Sequence, residues 1–227
     1  MDKNLAKNTN RRGLLTLAVV LLLAISLSGC LGNGDLRLAE TWTYENEVGF
    51  RLVLPEDWQL IAADTQSSLF VSADGGTSLT VISELGGEAY YTLAEIADML
   101  MAELAAETGA WQLERTMVDN SRELRQLHLG QDSAGVAAYL DIYLTQPYAG
   151  IRFYLLFAGA DQRYSAENRI LTEIIRSFRV TANQEELYTQ MELRREAEQA
   201  AAEEEELNQE EVDYDEEYVE QEEYTNY

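Results

Sequence analysis

The residue best suited to chemistry is Cys30, the single cysteine of the 227-residue chain. A thiolate is the strongest nucleophile that a side chain offers, so this position is suited to covalent modification. Two small residues, Ser28 and Gly29, precede it and leave the thiol accessible to a modifying enzyme. The apolar run 14–27 and the basic residues before it have the order of a secretory signal with a small-residue cleavage site. We therefore expect residues 1–29 to be removed and the mature chain to begin at Cys30.

The residues Leu27, Ser28, Gly29 and Cys30 resemble the lipobox of bacterial lipoprotein signals. This resemblance implies a diacylglycerol attached to the Cys30 sulfur, and we expect no other cofactor. Two acyl chains, at about 0.8 kcal/mol for each buried methylene, hold a protein stably on a bilayer. The predicted location is therefore the extracytoplasmic face of a cell membrane, with a lipid anchor. An uncleaved transmembrane helix is the alternative, and the basic pair 11–12 also resembles a twin-arginine export signal.

Other residues that could catalyse a reaction are scarce. His128 is the sole histidine, and no G-x-S-x-G motif, phosphate-binding glycine loop or cluster of metal ligands accompanies it in the sequence. A lone histidine in a strand is most often hydrogen-bonded or surface-facing, so we expect no catalytic residue and no metal site. Acylation of Cys30 would leave no thiol for a disulfide or for metal binding. Two carboxylates that converge in space would still permit hydrolysis of an extracellular polymer, and this alternative stays open.

Charge restricts the partners of the chain. It contains 41 acidic and 16 basic residues, a net charge of −25, and both of its lysines lie in the predicted signal. Cleavage of the signal would leave 40 acids against 12 bases. Such a field repels nucleic acid and anionic headgroups, so we expect no nucleic-acid partner and favour cationic proteins or divalent cations.

Composition divides the mature chain into three parts. Residues 30–39, with two glycines, predict a short tether, residues 40–181 a single domain, and residues 182–227 an acidic tail. The tail is predicted to be helical over 183–207, because Ala, Glu, Gln, Leu and Arg favour helix, and disordered over 210–227. Its carboxylates could also dock onto a basic partner or bind divalent cations loosely.

The first half of the domain shows the alternation of β-strands, followed by a helix. Strands are predicted over 41–44, 50–54, 69–72 and 78–82, with turns at 55–57 and 74–76. Thr92 and Glu95 have the spacing of a capping box. They begin the clearest helix of the chain, which carries an apolar stripe from Leu93 to Ala105.

The second half contains further strands and a second helix. Strands are predicted over 111–117, 124–129, 136–144 and 151–157. In the third of these, Leu140 and Ile142 point one way and Tyr139 and Asp141 the other. The link 146–150 favours an antiparallel hairpin, and an amphipathic helix carrying apolar residues from Ile170 to Phe178 comes last. This order indicates an α+β fold, an antiparallel sheet flanked by helices.

The two ends of the domain resemble those of a PsbP-like domain. The stretch 49–58 is a strand running into Pro55 and Trp58, and the stretch 174–180 is the end of a helix closing in Ser-Phe. The resemblance implies an α/β/α sandwich. It also implies a binding or assembly accessory, as in photosystem-associated lumenal proteins, a Ran-binding branch and bacterial envelope lipoproteins. We interpret Trp58 and Phe178 as core side chains that hold the sheet against its helices.

These observations favour a non-enzymatic lipoprotein, anchored at the membrane, that binds or helps assemble another protein of the cell envelope. Two alternatives remain open at this point. One is a carboxylate-based extracellular hydrolase, and the other is a surface protein that binds cations through its acidic tail.

Overall fold

The computed structural model describes residues 41–201, except residues 88, 89, 109, 133 and 198. The described residues divide into two compact units, one ending at Gln184 and the other beginning at Glu185. The elements of the first unit are β1 (Thr41–Asn46), β2 (Phe50–Pro55), β3 (Gln59–Ala63), β4 (Ser67–Val71), β5 (Thr77–Leu85), α1 (Leu93–Thr108), β6 (Gln112–Asp119), β7 (Glu123–Gln131), β8 (Ala137–Tyr148), β9 (Ile151–Ala160), the 3₁₀ turn Asp161–Arg163, α2 (Tyr164–Ser177) and β10 (Arg179–Val180).

Residues 184–197 and 199–201 are helical. This agrees with the helix predicted at the start of the acidic tail, whose many good helix formers favour that conformation. Residues 202–227, including the stretch in which disorder was predicted, lie outside the described residues.

Two antiparallel sheets build the domain. The larger has seven strands in the order β3-β4-β5-β9-β8-β7-β6, and the smaller has three in the order β1-β2-β10. Most neighbours in the large sheet are joined by hairpins, but β5 pairs with β9 across the insertion of α1 and β6 to β8. The predicted class, an α+β fold with an antiparallel sheet and flanking helices, is confirmed.

One side of the large sheet is covered by α1. The helix begins with the predicted capping box: the Thr92 backbone N–H donates to Glu95 Oε2 at 2.8 Å, and the Glu95 N–H donates to Thr92 Oγ1 at 3.2 Å. Its apolar stripe then packs against the strands. The buried members of this cluster are Leu93, Ile96, Ala97, Leu100, Leu104, Leu124, Leu140, Ile142, Leu144, Tyr154, Leu156 and Ala158.

The opposite side of the large sheet is covered by α2 and the small sheet. Three aromatic rings join these layers: Phe50 of β2 lies 5.8 Å from Phe153 of β9, and Phe178 lies 5.5 Å from both, measured between ring centroids. Trp58 is 2% exposed and Phe178 is 6% exposed, so their interpretation as core side chains is confirmed. The central strands of the sheet are therefore buried on both sides, whereas the edge strands β3 and β6 are largely exposed.

Several details differ from the sequence-based expectations, among them the short strand β10, which was not predicted. The strand β3 was not predicted, because all five of its residues are exposed and show no alternation of buried and exposed positions. The hairpin link predicted over 146–150 is shorter, since β8 continues to Tyr148 and Gly150 makes the turn at φ 73°. Phe178 was placed in the last helix, but α2 ends at Ser177 and Phe178 follows it with an extended backbone.

Candidate functional site

The predicted lipidation site lies outside the described residues. This applies to Cys30, to its lipobox Leu27, Ser28 and Gly29, and to the whole of the signal and tether. Their roles therefore stay predictions. Within 41–201, leaving out the five residues named above, no helix has the length and apolar character that crossing a bilayer requires.

His128 lies on the α1 side of β7 and is 5% exposed. Its Nε2 is 3.2 Å from Gln126 Oε1, so the ring is satisfied by a neighbour on its own strand. Burial lowers the pKa of His128, and this effect outweighs the opposing charges of Asp98 and Asp141. A neutral, hydrogen-bonded ring agrees with the expectation of a structural histidine.

The α2 side of the sheet holds a buried ion pair that the sequence did not reveal. Arg125 of β7 donates to both oxygens of Asp141 of β8, with Nε–Oδ1 at 3.0 Å and Nη2–Oδ2 at 2.5 Å. The same guanidinium donates to Thr172 at 2.9 Å and to Asn168 at 3.2 Å, both on α2. Tyr164 adds a third donor to Asp141 at 3.2 Å. This network ties the helix to two strands of the sheet.

A second buried carboxylate, Glu167, lies on α2 itself, one residue before Asn168. Glu167 accepts hydrogen bonds from Thr77 at 2.5 Å, from Tyr139 at 2.8 Å and from Arg163 at 2.6 Å. Arg163 also reaches Asp74 in the β4–β5 turn at 2.7 Å. Gly76 of the predicted turn leaves room for this contact, because a Cβ at that position would lie 1.7 Å from the Arg163 guanidinium.

Protonation states in both networks are set by burial and by the charged partners. Burial opposes the charge of Arg125, but the hydrogen bond and attraction to Asp141 outweigh it and raise the pKa of the guanidinium. Burial and the charge of Asp141 raise the pKa of Tyr164 to about 12. Burial and Glu167 also raise the pKa of Tyr139 well above its ordinary value. The arginines therefore stay charged and the tyrosines neutral at physiological pH.

The buried carboxylates Asp141 and Glu167 and the partly buried Glu84 are each held by an arginine, whereas the buried Asp132 accepts hydrogen bonds from the backbone N–H groups of Ala134 and Val136. Asp141 pairs with Arg125, Glu167 with Arg163, and Glu84 with Arg152 at 3.1 Å. A carboxylate engaged in this way is a poor general acid or base, because protonating it would leave a buried arginine unpaired. In the described part of the chain, no group of three or more His, Cys, Asp or Glu side chains is arranged to hold a metal ion.

The feature most suited to binding is the outer edge of the large sheet. The strand β3 is the last strand on that side, and all five of its residues are exposed. Leu60 is 42% exposed and Ile61 is 58% exposed, and a register shift between Leu60 and Ala62 makes Ile61 a bulged residue. We call Gln59–Ala63 the β3 edge.

The opposite edge of the sheet is built differently. The strand β6 is also largely exposed, but it carries Glu114, Arg115 and Asp119 and has two register shifts. Charges and bulges on an edge strand discourage pairing with another chain. The β3 edge lacks charged residues and has one register shift, so it is the less protected of the two edges.

Sequence reasoning missed the β3 edge, although one signal was present. Residues 58–63 form an uncharged run between Asp57 and Asp64 in a strongly acidic chain. An exposed strand does not alternate, so periodicity cannot find it, whereas a gap in the charge pattern can.

The fold that carries these features is the α+β fold of Mog1. The crystal structure of the Ran-binding protein Mog1p from Saccharomyces cerevisiae is similar with a TM-score of 0.52 and 12% identity, covering 63% of this chain and 96% of that one. A Mog1 variant gives 0.53 and 12% identity, covering 65% and 99%. The solution structure of the cyanobacterial PsbP protein from Synechocystis sp. PCC 6803 gives 0.47 and 18%, covering 67% and 99%. At these identities, the two Mog1 structures show a common fold alone.

Neither a protein-family model nor a curated protein matches the chain.

Proposed function

We propose that the chain is a lipoprotein of the cell envelope, anchored by its lipid at the extracytoplasmic face of a membrane, whose domain is a non-enzymatic binding or assembly accessory. The observation that carries the anchor is Cys30 directly after Leu27, Ser28 and Gly29 at the end of an apolar run. Eleven residues lead from Cys30 to Thr41, the first residue of β1. Even fully extended they reach at most roughly 40 Å, so the anchor would keep the domain close to the lipid surface.

Two observations support a binding role for the domain. Its exposed β3 edge offers apolar side chains and a strand without an outer neighbour among the described residues. Its fold is also that of a protein described as Ran-binding, so the same architecture serves protein recognition elsewhere. The carboxylates that pair with arginines, Asp141, Glu167 and Glu84, give no support to the hydrolase alternative.

Metabolic labelling with palmitate tests the anchor. We expect the wild-type protein to incorporate label and to fractionate with membranes, and Cys30→Ala to lose both properties. Ser28→Ala is the matched control, because it keeps a small residue before the cysteine and should still be labelled. An unlabelled wild-type protein with an intact leader, or equal labelling of Cys30→Ala, would overturn the proposal.

Loose binding of divalent cations by residues 182–227 is the alternative to this accessory role. Calorimetry with calcium should show heat of binding for the intact protein and little for a protein truncated after residue 181. Equal heats of calcium binding for the intact and the truncated protein would show that the tail does not bind calcium.

A further inference from the structure

We infer that the β3 edge binds an extended segment of another protein as an eighth strand of the large sheet. The segment has apolar side chains in its centre and Lys or Arg at both ends. This inference rests on the proposed function and deepens it, because it names the chemistry of the partner.

The backbone of β3 supplies the first argument. The strand is last in its sheet, so one of its sides pairs with β4 while the other has no neighbouring strand among the described residues. Although it carries one bulge, this less protected edge presents backbone N–H and C=O groups with which an added strand can pair. Main-chain hydrogen bonds would thus supply affinity, and side-chain contacts would supply selectivity.

The strand is also held in place before a partner arrives. At its start, the backbone N–H of Trp58 donates to the Pro55 carbonyl at 3.0 Å, and the Trp58 side chain is 2% exposed. At its end, the Asp64 N–H donates to the Ser67 carbonyl at 2.9 Å. A strand fixed at both ends loses little conformational entropy on binding, which favours affinity.

The side chains define the centre of the partner segment. Leu60 and Ile61 are the large exposed apolar residues of the edge, and Ala62 and Ala63 continue it without charge. Apolar side chains on the added strand would cover these residues and remove their surface from water. A charged residue in the centre of the added strand would have no ionic partner on β3 and would lose solvation.

The flanking charges define the ends of the segment. Glu56 and Asp57 precede the uncharged run and Asp64 follows it. The Asp64 carboxylate accepts from the backbone N–H groups of Gln66 and Ser67, both at 2.6 Å, which keeps it at this end of the strand. Acids at both ends of an apolar strand complement cations at both ends of the partner.

The same charges disfavour a second copy of this chain as the occupant. In an antiparallel pair centred between Leu60 and Ile61, Asp57 of one copy would lie opposite Asp64 of the other, and this would occur at both ends. Like charges that meet across a strand pair are destabilising. The net charge of −25 adds repulsion between whole copies.

The test uses the full-length protein in detergent micelles and a fluorescent synthetic peptide of sequence KRVTVTVRK. We expect saturable binding by fluorescence anisotropy and slower amide hydrogen exchange in Gln59–Ala63. A peptide with N-methylated alternate amides, and one with glutamate in place of its terminal cations, should each bind at least tenfold more weakly. The first change tests strand pairing and the second tests charge complementarity.

Variants of the protein locate the site. Ile61→Lys should weaken binding of the peptide at least tenfold, because it places a cation on the edge and removes an apolar contact. Leu113→Lys is the matched control, since Leu113 is a comparably exposed apolar residue, 53%, on the opposite edge strand. It should change the affinity less than twofold. Urea unfolding of both variants confirms that each is folded.

Several outcomes would overturn the inference. They are the absence of binding, equal weakening by both lysine variants, full affinity for the N-methylated peptide, and dimerisation through the β3 edge in analytical ultracentrifugation. Cys30→Ala should bind the peptide with unchanged affinity. If a palmitate-labelled protein fails to bind the peptide, this inference is wrong and the proposed lipid anchor stands. If an unlabelled wild-type protein binds the peptide, the proposed anchor is wrong and this inference stands.

Discussion

The two sides of the large sheet are stabilised in different ways, and β8 shows the contrast within one strand. Its residues facing α1 are Leu140, Ile142 and Leu144, which join an apolar cluster. Its residues facing α2 include Asp141, which is fully buried against Arg125. The α1 side is held mainly by the burial of apolar surface, whereas the α2 side adds directional hydrogen bonds between charged and polar groups to its packed aromatic rings.

This difference determines how each side should respond to change. Apolar contacts are non-directional, so the α1 side should tolerate substitutions that conserve volume. The ion pairs on the α2 side should not tolerate such substitutions, because removing one member of a pair leaves the other buried and unpaired. We expect the polar side to specify where α2 sits on the sheet, and the apolar side to supply stability without that precision.

The largest effect is expected from Asp141→Ala. It leaves the Arg125 guanidinium buried without its carboxylate, which should cost about 4 kcal/mol of unfolding free energy in urea titrations. The double variant Arg125→Met with Asp141→Leu should recover most of this loss, since both charges are then absent. A double variant as unstable as the single one would contradict the contrast between the two sides.

A smaller effect is expected on the apolar side. Leu140→Ala should cost about 3 kcal/mol through lost burial and the cavity it leaves. Leu140→Met, which nearly conserves volume, should cost under about 1.5 kcal/mol in the same titrations. If Leu140→Met lowered the unfolding free energy as much as Leu140→Ala, the α1 side would be as sensitive to substitution as the α2 side.

Alkaline pH should weaken the α2 side. The pKa of Tyr164 is about 12 in the folded domain and ordinarily 10.0. Above pH 10 the unfolded chain releases this proton while the folded one retains it, so stability is complete below pH 10 and falls as pH rises toward 12. Partial exposure to solvent reduces the effect to about 1 kcal/mol between pH 9 and pH 11. Tyr164→Phe should flatten this part of the pH profile, and an unchanged slope would exclude Tyr164 as its source.

Acidic pH should act on the α1 side through His128, with the smallest effect. Burial lowers the pKa of His128 below its ordinary 6.5. The unfolded chain therefore takes up a proton first as pH falls below 6.5, and stability declines from that point until the folded pKa is reached. His128→Gln should reduce the slope of the unfolding free energy between pH 7 and pH 5. A slope that His128→Gln leaves intact would assign the acid sensitivity to other groups.

Much of the architecture could be predicted from local pattern. The alternation along β8 correctly separated Leu140 from Asp141, and the capping box correctly began α1 at Leu93. Both signals depend on residues close together in the chain, where spacing and local hydrogen bonds determine the conformation. The β3 edge could not be predicted in this way, because an exposed strand has no buried side to impose a period.

The amino-acid sequence by itself determined the strands and helices with clear periodicity, the antiparallel α+β class and the features that predict a lipid anchor at Cys30. The tertiary structure alone decided that Arg125 meets Asp141, 16 residues away on the neighbouring strand, and that β3 forms the outer edge of the sheet. Periodicity reports which residues share a side of an element. What covers that side depends on contacts between residues far apart in the chain.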